Sequence, residues 1–222
     1  MQKIKDILAV LLYKIGLSAD FLTYLGLFFA LVSACFVYNG DFIWAGGALL
    51  VSGFFDLMDG SVARLSGKAS AFGGILDSCL DRYGDGFVLG ALVIVCAEEG
   101  MTLYAVLALS ALLGSFSISY VRARAECEMD ACRTGFWERG ERVVYLALAL
   151  LLNNVTLALW VLGLGTHTTA LRRLALARRN VVSSRAYVGA QPSNAENPRS
   201  NLFYWIKIAL LCLTLAFLRP NF

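Results

Sequence analysis

Between Phe42 and Ala97 the chain reads FIWAGGALLVSGFFDLMDGSVARLSGKASAFGGILDSCLDRYGDGFVLGALVIVCA. Two apolar runs, 42–63 and 71–97, flank a short polar connection centred near residue 68. Each run is long enough to cross a bilayer, yet each carries carboxylates inside it or at its edge: Asp56 and Asp59 in the first, Asp77, Asp81 and Asp85 in the second. A bare carboxylate in hydrocarbon costs several kcal/mol, so something must compensate these. Asp56 and Asp59 are one helical turn apart, and Asp77, Asp81 and Asp85 recur every fourth residue, so each set projects from one helix face. Asp59 lies nine residues before residue 68 and Asp77 nine after it, while Asp56 lies twelve before and Asp81 thirteen after. An antiparallel helical hairpin rising about 1.5 Å per residue then brings the two pairs level, roughly 13–20 Å from the turn. Four carboxylates converging there would repel one another or take up protons unless hard cations neutralised them. Two Mg²⁺, Mn²⁺ or Ca²⁺ ions with shared oxygen ligands meet that need.

The rest of the chain agrees with a membrane setting. Of 222 residues 59% are hydrophobic and 16% charged, which excludes a cytosolic globular enzyme and a nucleic-acid binder. Further apolar runs stand at 21–38, 101–122, 141–152, 155–176 and 202–218, with Asn153-Asn154 reading as a tight turn between the fifth and sixth spans. Residues 1–16 space Ile4, Ile7, Leu8, Leu11, Leu12 and Ile15 helically among Lys3, Lys5, Asp6 and Lys14, the pattern of an amphipathic helix lying on the bilayer surface. The connections at 39–41, 98–100 and 153–154 hold no Lys or Arg, whereas those on the other side hold Arg64 and Lys68, Arg122 to Arg142, and Arg172 to Arg199. By the positive-inside rule the N-terminus and the acid cluster are cytoplasmic. The sequence therefore predicts an all-α integral membrane protein. A surface helix over 1–16 leads into a six-transmembrane-helix bundle over 17–176. A polar cytoplasmic linker over 177–201 follows, then an additional C-terminal hydrophobic segment over 202–218 that either spans or docks.

Cysteines at 35, 79, 96, 127, 132 and 212 show no metal-ligand spacing and read as small apolar packing residues. His167, the single histidine, reads as structural. A carboxylate-lined ion transporter is the competing reading of the acids, and a non-catalytic scaffold a third. Gly60, Ala63, Gly73 and Gly74 beside the acids favour a site that admits a bulky ligand close to bound metal. The cluster also opens to the cytoplasmic leaflet rather than at the bilayer midplane, where transporter sites usually lie.

Written out, Asp56-Leu57-Met58-Asp59-Gly60-Ser61-Val62-Ala63-Arg64, then Gly73, Asp77 and Asp81 at their intervals, resembles the signature of the CDP-alcohol phosphotransferases at every fixed position. The resemblance covers about residues 17–176. It implies displacement of CMP from a CDP-linked lipid donor by an acceptor hydroxyl, and it implies a homodimer through the third and fourth spans. Carried over, Asp56, Asp59 and Asp77 hold two divalent cations, Mg²⁺ or Mn²⁺, against the diphosphate, with Asp81 a further ligand or the general base. Gly60, Ala63 and Gly73 leave room for the cytidine nucleotide, Arg64 sits near its phosphates, and Thr23 of the Leu22-Thr23 pair lies near the nucleotide.

The basic residues on the cytoplasmic side of the later spans resemble the subgroup that uses inositol 1-phosphate. By that resemblance Arg122, Arg139 or Arg142, and Arg173 hold the acceptor's phosphate. Arginine forks suit a phosphate dianion better than choline, serine or ethanolamine. Glycerol 3-phosphate is the competing acceptor. Asp85, outside the signature, reads equally as the partner of Arg64 or Arg82 and as a metal ligand.

Overall fold

The computed structural model describes residues 2–128 and 137–186. Among them are seven helices and no strand: α1 (Gln2–Lys14), α2 (Ala19–Tyr38), α3 (Phe42–Leu65), α4 (Ala71–Glu98), α5 (Thr102–Ala125), α6 (Arg139–Leu151) and α7 (Val155–Ala186). The stops after α1, α2, α3, α4 and α6 share one device, a residue with positive φ. In the hairpin that carries the acids, Gly67 takes φ +66° and the next amide, Lys68 N–H, reaches back to the Ala63 carbonyl at 3.1 Å. This left-handed cap satisfies carbonyls the helix would otherwise leave bare. Asn153 does the same after α6 at φ 52°, with Asn154 N–H on the Ala149 carbonyl at 2.8 Å, so the predicted Asn-Asn turn is present.

The helices close into a ring. α2 packs on α3 and α4, α3 on α6, α6 on α7, α7 on α5, and α5 back on α4, while α1 lies along α3. The core inside holds Val88, Leu92, Ile118, Tyr145, Leu150 and Leu159, all essentially buried. Buried hydroxyls cross between helices: Ser33 donates to the Ala45 carbonyl at 2.8 Å and Ser52 to the Gly26 carbonyl at 2.7 Å, tying α2 to α3. His167 faces Ser110 at 3.1 Å between α7 and α5, in keeping with a structural role. Within hydrocarbon such polar contacts and small residues, rather than apolar burial, favour helix association. Gly46 marks the tightest crossing on α3: a Cβ there would stand 2.7 Å from the Ala147 carbonyl oxygen of α6.

α2, α3 and α5 are long and apolar enough to cross a membrane. α4 is longer still, at 28 residues, but it carries Asp77, Asp81, Arg82 and Asp85 between its start and its middle. α6 has 13 residues, about 20 Å, less than a hydrocarbon core of about 30 Å. α1 buries Ala9 against Leu22, Met58 and Val62 and leaves Ile7 and Leu11 exposed. Two features differ from the sequence expectation. α7 continues to Ala186, ten residues into the segment read as linker; no proline or glycine interrupts 177–186, and its arginines are good helix formers. α3 and α4 pack on α2 rather than broadly on one another, and the acid-bearing hairpin is joined across its middle by its carboxylates and Arg139. Residues 187–201, the segment 202–218, Cys132 and Cys212 lie outside the described residues.

Candidate active site

Asp56 and Asp59 lie in the second half of α3, and Asp77 lies near the start of α4. Ser70 fixes where α4 begins: its hydroxyl accepts from the Gly73 amide at 2.9 Å as an N-cap. A Cβ on Gly73 would stand 3.1 Å from that hydroxyl, so its smallness first serves the cap. At Gly60 only the far end of Arg64 comes near, at 3.5 Å, and at Gly74 nothing lies within 4 Å, leaving that side of the acids open.

One ligand oxygen from each of Asp56, Asp59 and Asp77 lies within 4.8 Å of the others. Asp59 is 6% exposed and accepts the Thr23 hydroxyl of α2 at 2.7 Å. Asp77 Oδ1 is buried with no hydrogen-bond partner. Three carboxylates that close, one with an orphaned oxygen, form an all-oxygen donor set that fits hard divalent cations. Thr23, expected beside the nucleotide, is here the positioner of a carboxylate. Arg64 is exposed and donates to Ser61 Oγ at 3.3 Å, and Ala63 is half-buried beside it.

Asp81 stands against Asp56 and near Asp77, beside the tighter three-oxygen set rather than within it. It sits one turn beyond Asp77, about 6 Å further along the axis, and pairs with Arg139 Nη1 at 2.8 Å. The same Nη1 meets Asp56 Oδ1, so a guanidinium from the start of α6 bridges the two helices of the hairpin. Asp85 pairs with neither Arg64 nor Arg82. Its Oδ2 accepts from Arg142 Nη2 at 3.0 Å, and its Oδ1 lies 3.8 Å from Arg139 Nε. Arg82 instead donates to the Ser78 carbonyl of its own helix.

Beside the acids opens a cavity of about 340 Å³, lined by Asp77, Asp81, Arg122, Arg139, Arg142 and Arg173 among others. All four arginines singled out in the sequence therefore face one space. They are held differently. Arg122 pairs with Glu126 at 2.9 Å one turn on, Arg142 donates to the Trp137 carbonyl at 3.1 Å, and Arg173, 2% exposed, donates to the Ile118 carbonyl at 3.1 Å. A capping box between Glu138 and Glu141 starts α6 at Arg139, with the Glu138 amide on the Glu141 carboxylate at 3.0 Å. The Glu-x-x-Glu spacing was a readable signal for this start; the Trp137 carbonyl beneath Arg142 had none.

A family model described as CDP-alcohol phosphatidyltransferase matches residues 17–171, and archaetidylinositol phosphate synthase of Pyrococcus horikoshii is 33% identical over 171 residues, 77% of this chain and 88% of that protein. The chain belongs to the CDP-alcohol phosphatidyltransferase family. It is accordingly an enzyme that transfers phosphate-containing groups. Among solved structures it is similar to the crystal structure of Mycobacterium tuberculosis phosphatidylinositol phosphate synthase with CDP-DAG bound: TM-score 0.72, 25% identity, 87% of this chain and 100% of that one. It is similar also to the structure of the same synthase in complex with manganese and citrate, with TM-score 0.70, 25% identity, and 89% and 98% of the two chains. The transferase thus carries its oxygen triad within the stretch the family model matches.

Proposed function

We propose that this chain transfers a phosphatidyl-type group, diacylglycerol phosphate or archaeol phosphate, from a CDP-lipid to the hydroxyl of a phosphorylated alcohol, with inositol 1-phosphate the preferred acceptor and CMP the leaving group. The observation that carries this reading is the adjacency of the Asp56–Asp59–Asp77 oxygen triad to a cavity lined by four arginines. A donor diphosphate needs the first and an acceptor phosphate the second.

Asp56, Asp59 and Asp77 would hold two divalent cations, Mg²⁺ or Mn²⁺. When bound, these would neutralise the donor's diphosphate and the charge that develops as CMP leaves. Thr23 keeps Asp59 turned inward for that task. The open side at Gly60, Ala63 and Gly73, with Arg64 at its edge, receives the cytidine nucleotide. Asp81, oriented by Arg139 and lining the cavity, takes the proton from the attacking hydroxyl. The hydroxyl oxygen forms the new bond to the phosphorus that bears the lipid, and the bond to the bridging oxygen breaks with the electron pair leaving on CMP. Arg122, Arg139, Arg142 and Arg173 hold the acceptor's own phosphate; guanidinium forks suit a dianion.

In this reading residues 17–176 form a six-span body with its active site and N-terminus on the cytoplasmic side, α1 lies in the interface, and the enzyme works as a homodimer. The short α6 crosses together with its surroundings rather than alone. The test is CMP release by purified full-length protein with Mg²⁺ and CDP-diacylglycerol or CDP-archaeol, compared across inositol 1-phosphate, glycerol 3-phosphate, serine and free inositol. Release greatest with inositol 1-phosphate is expected. Release greatest with glycerol 3-phosphate reassigns the acceptor, and release with none sinks the reading.

A further inference from the structure

Asp85 belongs to none of the signature positions, yet it is a carboxylate held within the bundle, its side chain 12% exposed. It stands one turn beyond Asp81 on α4 and lines the arginine cavity. Its two oxygens face two different arginines of that cavity, Arg142 at 3.0 Å and Arg139 at 3.8 Å.

A guanidinium is a rigid fork, and the direction in which it presents its donors is set by which of them are already held. Arg142 is held at Nη1 by the Trp137 carbonyl and at Nη2 by Asp85. Arg139 is drawn two ways: toward Asp56 and Asp81 on the side of the triad, and toward Asp85 on the side of the cavity. We infer that Asp85 is a positioning residue for the acceptor's phosphate, keeping Arg139 and Arg142 turned to the cavity. This rests on the reading that the cavity receives a phosphorylated alcohol. Without the Asp85 charge, Arg139 answers only to Asp56 and Asp81 and withdraws toward them, and Arg142 keeps a single carbonyl. Coulomb attraction alone gives the opposite sign, because removing a negative charge from the wall raises the cavity's affinity for an anion. The two accounts differ in direction.

The experiment is calorimetric binding of inorganic phosphate to the full-length chain in Mg²⁺, with no nucleotide lipid present, for the wild type, Asp85→Asn and Asp85→Glu. The positioning role predicts that Asp85→Asn weakens phosphate about tenfold, the scale of one charge-assisted hydrogen bond, and that Asp85→Glu recovers most of it. In turnover, the acceptor KM of Asp85→Asn rises by a similar factor while the CDP-lipid KM and the melting temperature stay near wild type. Phosphate bound equally or more tightly by Asp85→Asn overturns the inference. So does a parallel loss of donor affinity and melting temperature, which would make Asp85 a framework residue. Should the wild type release no CMP with any alcohol phosphate, the proposed function falls while phosphate binding still decides the role of Asp85.

Discussion

Asp59 has almost no water to turn to, and its one oxygen contact from another helix is the Thr23 hydroxyl. Asn at this position keeps the shape and an acceptor for Thr23 but removes a charge from the cation-binding set. CMP release by Asp59→Asn and by Asp77→Asn should fall roughly 10²–10³-fold, the scale of deleting one preorganised electrostatic group, with little change in melting temperature. Arg139 should behave in the opposite sense toward metal. Its guanidinium stands among Asp56, Asp81 and Asp85, where a bound cation must compete with it. Arg139→Gln should therefore tighten Mn²⁺ binding, by about tenfold after discounting the Coulomb energy for water entry, while raising the acceptor KM. Titration of Mn²⁺ against both proteins checks the sign. The acids were legible in the sequence, because a carboxylate in an apolar run demands an explanation, whereas Arg139 is named only through the family resemblance, as an alternative to Arg142. Their partners were not legible. Which carboxylate Arg139 takes depends on where α6 enters the ring, and nothing near 139 in the chain records the position of residue 56 or 81.

At the scale of elements, the helices were readable to within a few residues except at the end of α7, which runs ten residues past its apolar stretch. Runs of apolar residues and left-handed stops at Gly40, Gly67, Gly100 and Asn153 punctuate the chain. What the period of the sequence does not carry is which helices touch. The acid-bearing hairpin reads as a closed antiparallel pair, whereas α2 lies against both of its arms and the arginine cavity is walled by α4, α5, α6 and α7, with no residue of α3. The α3–α6 contact is the one most sensitive to a single side chain. A Cβ on Gly46 would stand 2.7 Å from the Ala147 carbonyl oxygen and 2.9 Å from the Leu151 amide nitrogen, both backbone atoms that cannot move aside cheaply. Gly46→Val should lower stability by about 1–3 kcal/mol, read as a lower melting temperature, because overpacking forces the helices apart. Its CMP release per folded molecule should stay near wild type, since Gly46 lies about 15 Å along α3 from Asp56.

For the whole molecule, the proposed orientation rests on charge: the connection bearing Lys68 and the one bearing Glu98 and Glu99 lie at opposite ends of α4. In a cysteine-free background in intact cells, a membrane-impermeant thiol reagent should label Glu99→Cys and spare Lys68→Cys until the membrane is opened. The reverse pattern would place the acids outside. The ring as a unit gives the acids their setting: α3 and α4 supply the carboxylates, α2 the hydroxyl that orders one of them, and α5, α6 and α7 the arginines that close the cavity. Mn²⁺ titration of the purified full-length chain, followed by electron paramagnetic resonance, tests that arrangement most directly. Two Mn²⁺ ions per chain, coupled to one another and lost in Asp59→Asn and Asp77→Asn, are the predicted result. No bound Mn²⁺, or binding indifferent to both substitutions, would contradict it.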